Sequence, residues 1–304
     1  MRTLPAALLT LALSAPALGA DDAGRPVSFH ALGSSEQVAA LMNDDLAKPA
    51  ELADRLALVS RRFLGTPYVL GPLGEGPQGE FDRGPLVSFS ALDCTTFVEE
   101  TMAFALAGSY AEGLDLLRRI RYRDGIVSYE TRNHFPETDW LPNLRAAGFL
   151  ADVTGAVAGE RVRVATKVLS KRAWYRGKTE KDLKGFDAEP PAAHRARLSR
   201  LRARGEEMPD EKTALPYLPV EVLEELLPAI PSGTVASLVR EGRPDKPTLV
   251  THQFFIMDGP QGKVVRHAAF GKAVEDVPAP EYFARLKGSS WRVLGINLAE
   301  VRAP

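Results

Sequence analysis

The sequence contains a single cysteine in 304 residues, which excludes an internal disulfide framework. Its formal net charge is −1, so no global positive field is present to attract nucleic acid or an anionic membrane. Beyond the first twenty residues, no apolar run approaches the ~20 residues that a membrane-spanning helix requires. We therefore expect a globular protein with no nucleic-acid partner and no stable membrane insertion.

Residues 1–20 predict a secretory signal peptide. Arg2 gives a short positive start, and the apolar run at 4–18 is interrupted by two prolines. That run is too short and too broken to cross the ~30 Å of a bilayer's hydrocarbon core. Small residues, including Ala17, precede the predicted cleavage site. We expect an exported, periplasmic protein whose mature chain, 21–304, is one domain.

The cysteine lies in the stretch LDCTTFVE, at the start of a predicted helix. The run from Cys94 to Ala107 is almost free of helix breakers, and Asp93 is suited to cap its N-terminus. Leu92 and Phe97 have the spacing of a hydrophobic staple. A thiol at such a helix start is held where backbone N–H groups favour an anion, which lowers a cysteine pKa from ~8.5 toward ~3.5–7.5.

Two of the five histidines lie on a predicted β-hairpin in the last third of the chain. Its strands, 248–257 and 263–270, are rich in β-branched and aromatic residues. A two-residue turn at 259–260, or a four-residue loop, places His252 directly opposite His267 on one face. A cysteine, an imidazole base and a second polar group that orients the base form the pattern of a nucleophilic hydrolase.

Each of these residues also has a structural alternative. Cys94 could pack as a small hydrophobic residue at a buried helix start, or form a bridge between two chains. His252 could be a core histidine, and His267 could be a surface residue. A Cys–His–His metal site would leave one coordination position for water, but no close-spaced pair of ligands supports it.

Residues 171–212 are strongly charged and predict an insertion. Within it, residues 194–204 contain five arginines, and acidic residues lie on both sides. This mixture favours a solvated helix over a patch that binds an anionic surface polymer. Two further helices are predicted ahead of the cysteine, at 35–43 and 51–63, the second from its apolar periodicity.

Several blocks of the sequence resemble the DUF1460 family, a branch of the NlpC/P60 papain-like superfamily. In order, they are FLGTPYVLG, LDCTTFVEE, RYRDG, RNHF followed by DW, PYLP, IPSGTVASLV, THQFFI and RHAAF. The resemblance covers about residues 56–297. It implies an α+β papain-like fold with a nucleophile helix packed on an antiparallel sheet, extra N-terminal helices and the charged insertion.

The resemblance also implies an activity and its residues. Related enzymes hydrolyse amides of cell-wall peptides, and this branch is associated with N-acetylmuramoyl-L-alanine amidase activity on muropeptides. No metal or cofactor is implied. The catalytic residues would be Cys94 as nucleophile, His252 as base and His267 as the third polar group. The substrate contacts would be Tyr68, Asp93, Arg132, His134 and Trp140.

The sequence departs from the family pattern at two positions. The family usually has a small residue soon after the base, where this chain has Gln253 and Phe254, and a serine where it has Ala269. Two other functions therefore stay open. A stem-peptide endopeptidase would share the three catalytic residues, and a non-catalytic cell-wall-binding protein would use the pocket without turnover. In each case we expect a monomer that binds peptidoglycan fragments.

Overall fold

An antiparallel sheet of eight strands forms the centre of the computed structural model, which describes residues 26–47 and 51–304. The strands are β1 (Leu150–Asp152), β2 (Arg163–Ser170), β3 (Asp210–Pro219), β4 (Thr234–Arg240), β5 (Val250–Gly259), β6 (Gly262–Ala268), β7 (Val274–Pro278) and β8 (Val293–Val301). Their order is β2-β3-β8-β4-β5-β6-β7, and β1 also pairs with β8. The last strand in sequence therefore lies inside the sheet.

Ten α-helices in the described part of the chain accompany the sheet. They are α1 (Ser35–Leu46), α2 (Leu52–Arg62), α3 (Cys94–Leu106), α4 (Tyr110–Arg121), α5 (Leu141–Ala146), α6 (Thr154–Ala158), α7 (Lys171–Arg176), α8 (Pro191–Arg204), α9 (Leu223–Leu226) and α10 (Ala279–Leu286). The α+β prediction is confirmed as a mixed structure with an antiparallel sheet. No described helix is long and apolar enough to cross a membrane. The signal peptide predicted at 1–20 lies outside the described residues.

The two faces of the sheet bury separate apolar clusters. On β5, Phe255 and Met257 belong to the cluster that contains residues of α1 to α5. The alternate residues, Phe254 and Ile256, belong to the cluster that contains residues of α9 and α10. Side chains of successive strand residues point to opposite faces, so this strand is apolar on both sides and lacks an alternating pattern.

The start of α3 is determined by local signals. Asp93 caps the helix: its Oδ1 accepts the Thr96 N–H at 2.8 Å, and its own N–H donates to Thr96 Oγ1 at 2.9 Å. This is a capping box with threonine in the third position. Leu92 and Phe97, the predicted staple pair, are both 0% exposed and lie in the same cluster. The predicted N-cap and the buried character of the helix are confirmed.

The charged stretch at 171–212, predicted as an insertion, overlaps the first residues of β3. Its predicted end at residue 212 falls inside β3, which begins at Asp210 and pairs with β2 and β8. Residues 171–209, here called the charged segment, contain α7 and α8 and share an apolar cluster with Phe81 and Tyr129. Helix α8 carries the arginines, and its ion pairs are Arg197 with Glu189, Arg200 with Glu80, and Arg204 with Glu80 and Glu130.

Candidate active site

Cys94 begins α3 between two residues that are tied to other parts of the fold. Thr95 Oγ1 donates to Gln253 Oε1 of β5 at 2.9 Å. Asp93 Oδ2 accepts the Gly71 N–H at 2.9 Å. Cys94 itself is partly exposed. These contacts fix the helix start against β5 on one side and, on the other, against the loop around Gly71 that precedes α3.

His252 of β5 and His267 of β6 form a hydrogen-bonded pair. Nε2 of His252 and Nδ1 of His267 are 2.9 Å apart, and the rings meet edge to face. The other nitrogen of His267 is buried and lies 3.8 Å from Glu275 Oε1 of β7. Tyr282 of α10 packs against His267, with ring centroids 5.2 Å apart. Since His252 Nε2 is engaged, its Nδ1 is the nitrogen available to a thiol.

The register of the hairpin differs from the predicted one by a single turn position. The turn residues are 260–261, where 259–260 was predicted. Continuing the observed register places Phe254 opposite His267, so His252 is its diagonal neighbour and not its direct partner. An even turn still keeps the two histidines on one face, and a diagonal pair is within reach of ring side chains. The predicted contact is present, but its predicted geometry is wrong.

Burial favours the neutral forms of both the thiol and the imidazole in the free protein. Burial, helped by the charge of Asp93, raises the pKa of the Cys94 thiol to about 12, although hydrogen bonds from the backbone act in the opposite direction. Burial, with His267 adding to it, lowers the pKa of His252 to about 3. The prediction that the helix start lowers the cysteine pKa is wrong for the free protein, because desolvation outweighs the N–H groups.

Two tyrosines of the site interact electrostatically with Cys94. The ring of Tyr68 packs against Phe270 with centroids 5.3 Å apart. Burial raises the pKa of Tyr68, and the charges of Cys94 and Asp93 raise it further. Burial also raises the pKa of Tyr282, to which the charge of Cys94 contributes. The structure therefore brings the predicted residues Tyr68, Asp93 and Cys94 together, with Tyr282 linking them to the histidine pair.

A cavity of about 530 Å³ adjoins the helix start, where Asp93 and Thr95 line it. Three predicted substrate contacts, Arg132, His134 and Trp140, also line this cavity. Trp140 is 0% exposed, and its Nε1 donates to Glu99 at 3.0 Å. Trp140 is therefore a buried part of the cavity wall, and its contact with substrate stays a prediction.

Arg132 and His134 are also engaged within the protein. Arg132 binds the carboxylates of Glu75 and Asp82, with its Nη2 3.1 Å from Asp82 Oδ2. His134 Nε2 lies 2.8 Å from the carbonyl oxygen of Tyr129. Burial lowers the pKa of His134 well below its usual value, so this imidazole is neutral at pH 7. Direct contact of either side chain with substrate stays a prediction.

Comparison with known proteins identifies the family to which this chain belongs. Residues 58–289 match the model of the AmiA-like, N-acetylmuramoyl-L-alanine amidase-like family. The chain belongs to this family. A search of curated proteins finds no match for this AmiA-like sequence.

Solved structures share the fold of this AmiA-like chain. A DUF1460 protein from Legionella pneumophila is similar with a TM-score of 0.82 at 27% identity, over 88% of this chain and 95% of that chain. Two structures of an N-acetylmuramoyl-L-alanine amidase from Bacteroides uniformis give TM-scores of 0.62 and 0.59 at 23% and 25% identity. They cover 83% and 82% of this chain and 100% and 99% of their own. The resemblance to DUF1460 is confirmed.

One part of the AmiA-like site was missed by sequence reasoning. Lys178, Lys181 and Lys184 line the cavity from the charged segment, together with Trp174. The stretch KTEKDLK, with a lysine at every third position, is the sequence signal that could have predicted them. It was overlooked because the arginines at 194–204 form a denser cluster of positive charge. Within 26–47 and 51–304, no group of three or more His, Cys, Asp or Glu residues could hold a metal ion.

Proposed function

We propose that this AmiA-like protein is a cysteine amidase of the papain-like NlpC/P60 type. Its substrate would be the amide between N-acetylmuramic acid and L-Ala in peptidoglycan or muropeptides. The observation that carries the proposal is the His252–His267 pair on β5 and β6, the two strands against which the helix that begins with Cys94 packs. A thiol, an imidazole and a group that orients the imidazole are the parts that nucleophilic amide hydrolysis requires. The family match supports the amidase class.

The neutral pair favours proton transfer during the attack. His252 Nδ1 takes the proton of Cys94 as the sulfur attacks the carbonyl carbon, and the oxyanion is stabilised by backbone N–H groups at the helix start. His267 orients the resulting imidazolium. His252 then gives its proton to the departing L-Ala nitrogen, which leaves a thioester on Cys94. Water, deprotonated by His252, hydrolyses the thioester and restores the thiol.

The place of action follows from the substrate. Peptidoglycan lies outside the cytoplasmic membrane, and the sequence at 1–20 has the features of a signal peptide. We therefore include export to the periplasm in the proposal. The mature chain, 21–304, would act there as a monomer with no metal or cofactor.

The test is digestion of a purified disaccharide-tetrapeptide by residues 21–304, followed by mass spectrometry. The amidase releases intact tetrapeptide and free disaccharide, and Cys94→Ala abolishes both products while circular dichroism shows an unchanged fold. Cys94→Ser, which keeps a hydroxyl in place of the thiol, serves as a conservative comparison. A shortened peptide still joined to sugar would instead identify an endopeptidase. Binding of insoluble wall without any product would support the non-catalytic alternative.

A further inference from the structure

The cavity beside the nucleophile helix has two unlike walls. One wall belongs to the start of α3, through Asp93, Thr95 and Thr96. Another belongs to the charged segment, through Lys181 and Lys184 among others. Its volume of about 530 Å³ lies within the range of small-molecule sites, roughly 300–1,000 Å³. The charged segment therefore helps to form the space next to the proposed reaction centre.

Three of the four carboxylates that line this cavity are paired with cationic side chains, and the fourth, Asp93, is held by backbone hydrogen bonds. An opposite charge beside a carboxylate reduces the negative potential that a ligand would meet. The pairs are Asp82 with Arg132, Glu99 with Arg121, Asp182 with Lys178, and Asp93 with the backbone N–H groups of Thr96 and Gly71.

Two lysines keep charge available for a ligand. Lys181 is exposed, and it makes no hydrogen bond or ion pair within the described ranges 26–47 and 51–304. Lys184 has a side chain that is 39% exposed, and its Nζ lies 4.0 Å from Asp82 while donating to the carbonyl oxygen of Gly71. An ammonium group can donate three hydrogen bonds, so Lys184 retains donors. Three arginines of α8, by contrast, have carboxylate partners: Arg197, Arg200 and Arg204.

The lysine wall is held firmly in place. The backbone of Lys184 pairs with the loop before the cysteine helix: its N–H donates to Phe81, and its carbonyl accepts from Arg83. Between the two cavity lysines, Leu183 is buried in the apolar cluster of the charged segment. A site whose charged groups are positioned before binding loses less conformational entropy when the ligand arrives.

We propose that Lys181 and Lys184 form a subsite for carboxylates of the stem peptide. This inference rests on the proposed function, which brings an amide-linked peptide to Cys94. The disaccharide is uncharged, whereas the peptide carries free carboxylates at its acidic residues and its end. Lysine ammonium groups in a partly enclosed cavity bind carboxylates through charge-assisted hydrogen bonds. The charged segment would then select substrate by its peptide and not by its sugar.

The test measures binding separately from turnover. The probe is the free tetrapeptide, titrated calorimetrically into the Cys94→Ala protein. Lys181→Gln and Lys184→Gln should each weaken binding about tenfold, and the double variant about 100-fold. Lys287→Gln is the matched control, since Lys287 is exposed at the end of α10 and does not line this cavity. A peptide with amidated carboxylates should bind wild-type protein as weakly as the free peptide binds the double variant.

The outcomes separate the subsite from the function. In the active enzyme, the double variant should raise KM for the disaccharide-tetrapeptide with little change in kcat. Equal binding by wild type and double variant, or no binding by wild type, would overturn the subsite. Binding that depends on the lysines in a protein that releases neither disaccharide nor peptide would uphold the subsite and reject the amidase. Because Lys181 is exposed and unpaired in the described structure, its substitution also tests the inference without affecting folding.

Discussion

At Cys94 desolvation of the thiol outweighs its place at a helix start in setting the direction of the pKa shift. With a pKa of about 12, the thiol should react slowly with iodoacetamide at pH 7. The rate should rise about tenfold for each pH unit between pH 7 and 10, because only the thiolate reacts. Mass spectrometry can follow the labelling of one site, since the chain has no other cysteine.

The control for this measurement is N-acetylcysteine, whose rate should level off above its pKa of ~8.5. The Cys94 rate should still be rising there. A Cys94 rate that is already flat from pH 6 to 9 would show a preformed thiolate–imidazolium pair and contradict the neutral pair. Fast labelling of substrate-free enzyme at pH 7 would also show a preformed thiolate–imidazolium pair.

Prediction of the site from sequence succeeded where the signal was local. Asp93 as N-cap depends on residues three apart, and the shared face of His252 and His267 depends only on an even turn. The pKa of Cys94 depends mainly on burial by parts of the chain that are distant in sequence, so the sign of its shift was not predictable. The position of the turn also failed, because Gly and Pro around it permit two neighbouring placements.

Among the helices, α3 and α4 pack closely through a glycine. A Cβ on Gly113 of α4 would lie 2.1 Å from Cδ1 of Phe104 on α3. Alanine favours a helix over glycine by up to about 1 kcal/mol. Overpacking of a core costs about 1–3 kcal/mol. Gly113→Ala should therefore lower the free energy of unfolding by up to about 2 kcal/mol, measured by urea denaturation.

A second glycine provides the matched control for this substitution. Gly155 lies in α6, and a Cβ there would meet nothing within 4 Å. Gly155→Ala should leave stability unchanged or raise it by up to about 1 kcal/mol, since only the propensity contributes. If Gly113→Ala proved as stable as Gly155→Ala, the close packing of α4 on Phe104 would be disproved.

The strands were harder to predict from sequence than the helices. Helix α2 has a single apolar stripe, and its predicted bounds agree with Leu52–Arg62 within a residue at each end. Strand β3 begins with charged residues and ends with prolines, so its sequence lacks a strand pattern. Its pairing with β2 supplies the structure that the local sequence does not. The β-propensity of individual residues does not report tertiary contacts of this kind.

At the scale of the whole molecule, the last strand connects the fold. β8 pairs with β1, β3 and β4, which lie far apart in sequence. It also places side chains into both apolar clusters, with Ala299 and Val301 in one and Ile296 and Leu298 in the other. Neither apolar cluster is therefore complete until β8 has joined the sheet. We expect the whole chain to fold as one cooperative unit.

Removal of β8 should therefore abolish folding. Its large buried side chains are Val293, Ile296, Leu298 and Val301. At about 1.5–3 kcal/mol each, they contribute roughly 6–12 kcal/mol, comparable to the whole net stability of a typical domain, about 5–15 kcal/mol. A chain that ends at residue 290 should show no cooperative thermal transition by calorimetry. A chain that lacks only the exposed residues 303–304 should unfold as the full chain does, and a cooperative transition in the shorter chain would show that the sheet is stable without its central strand.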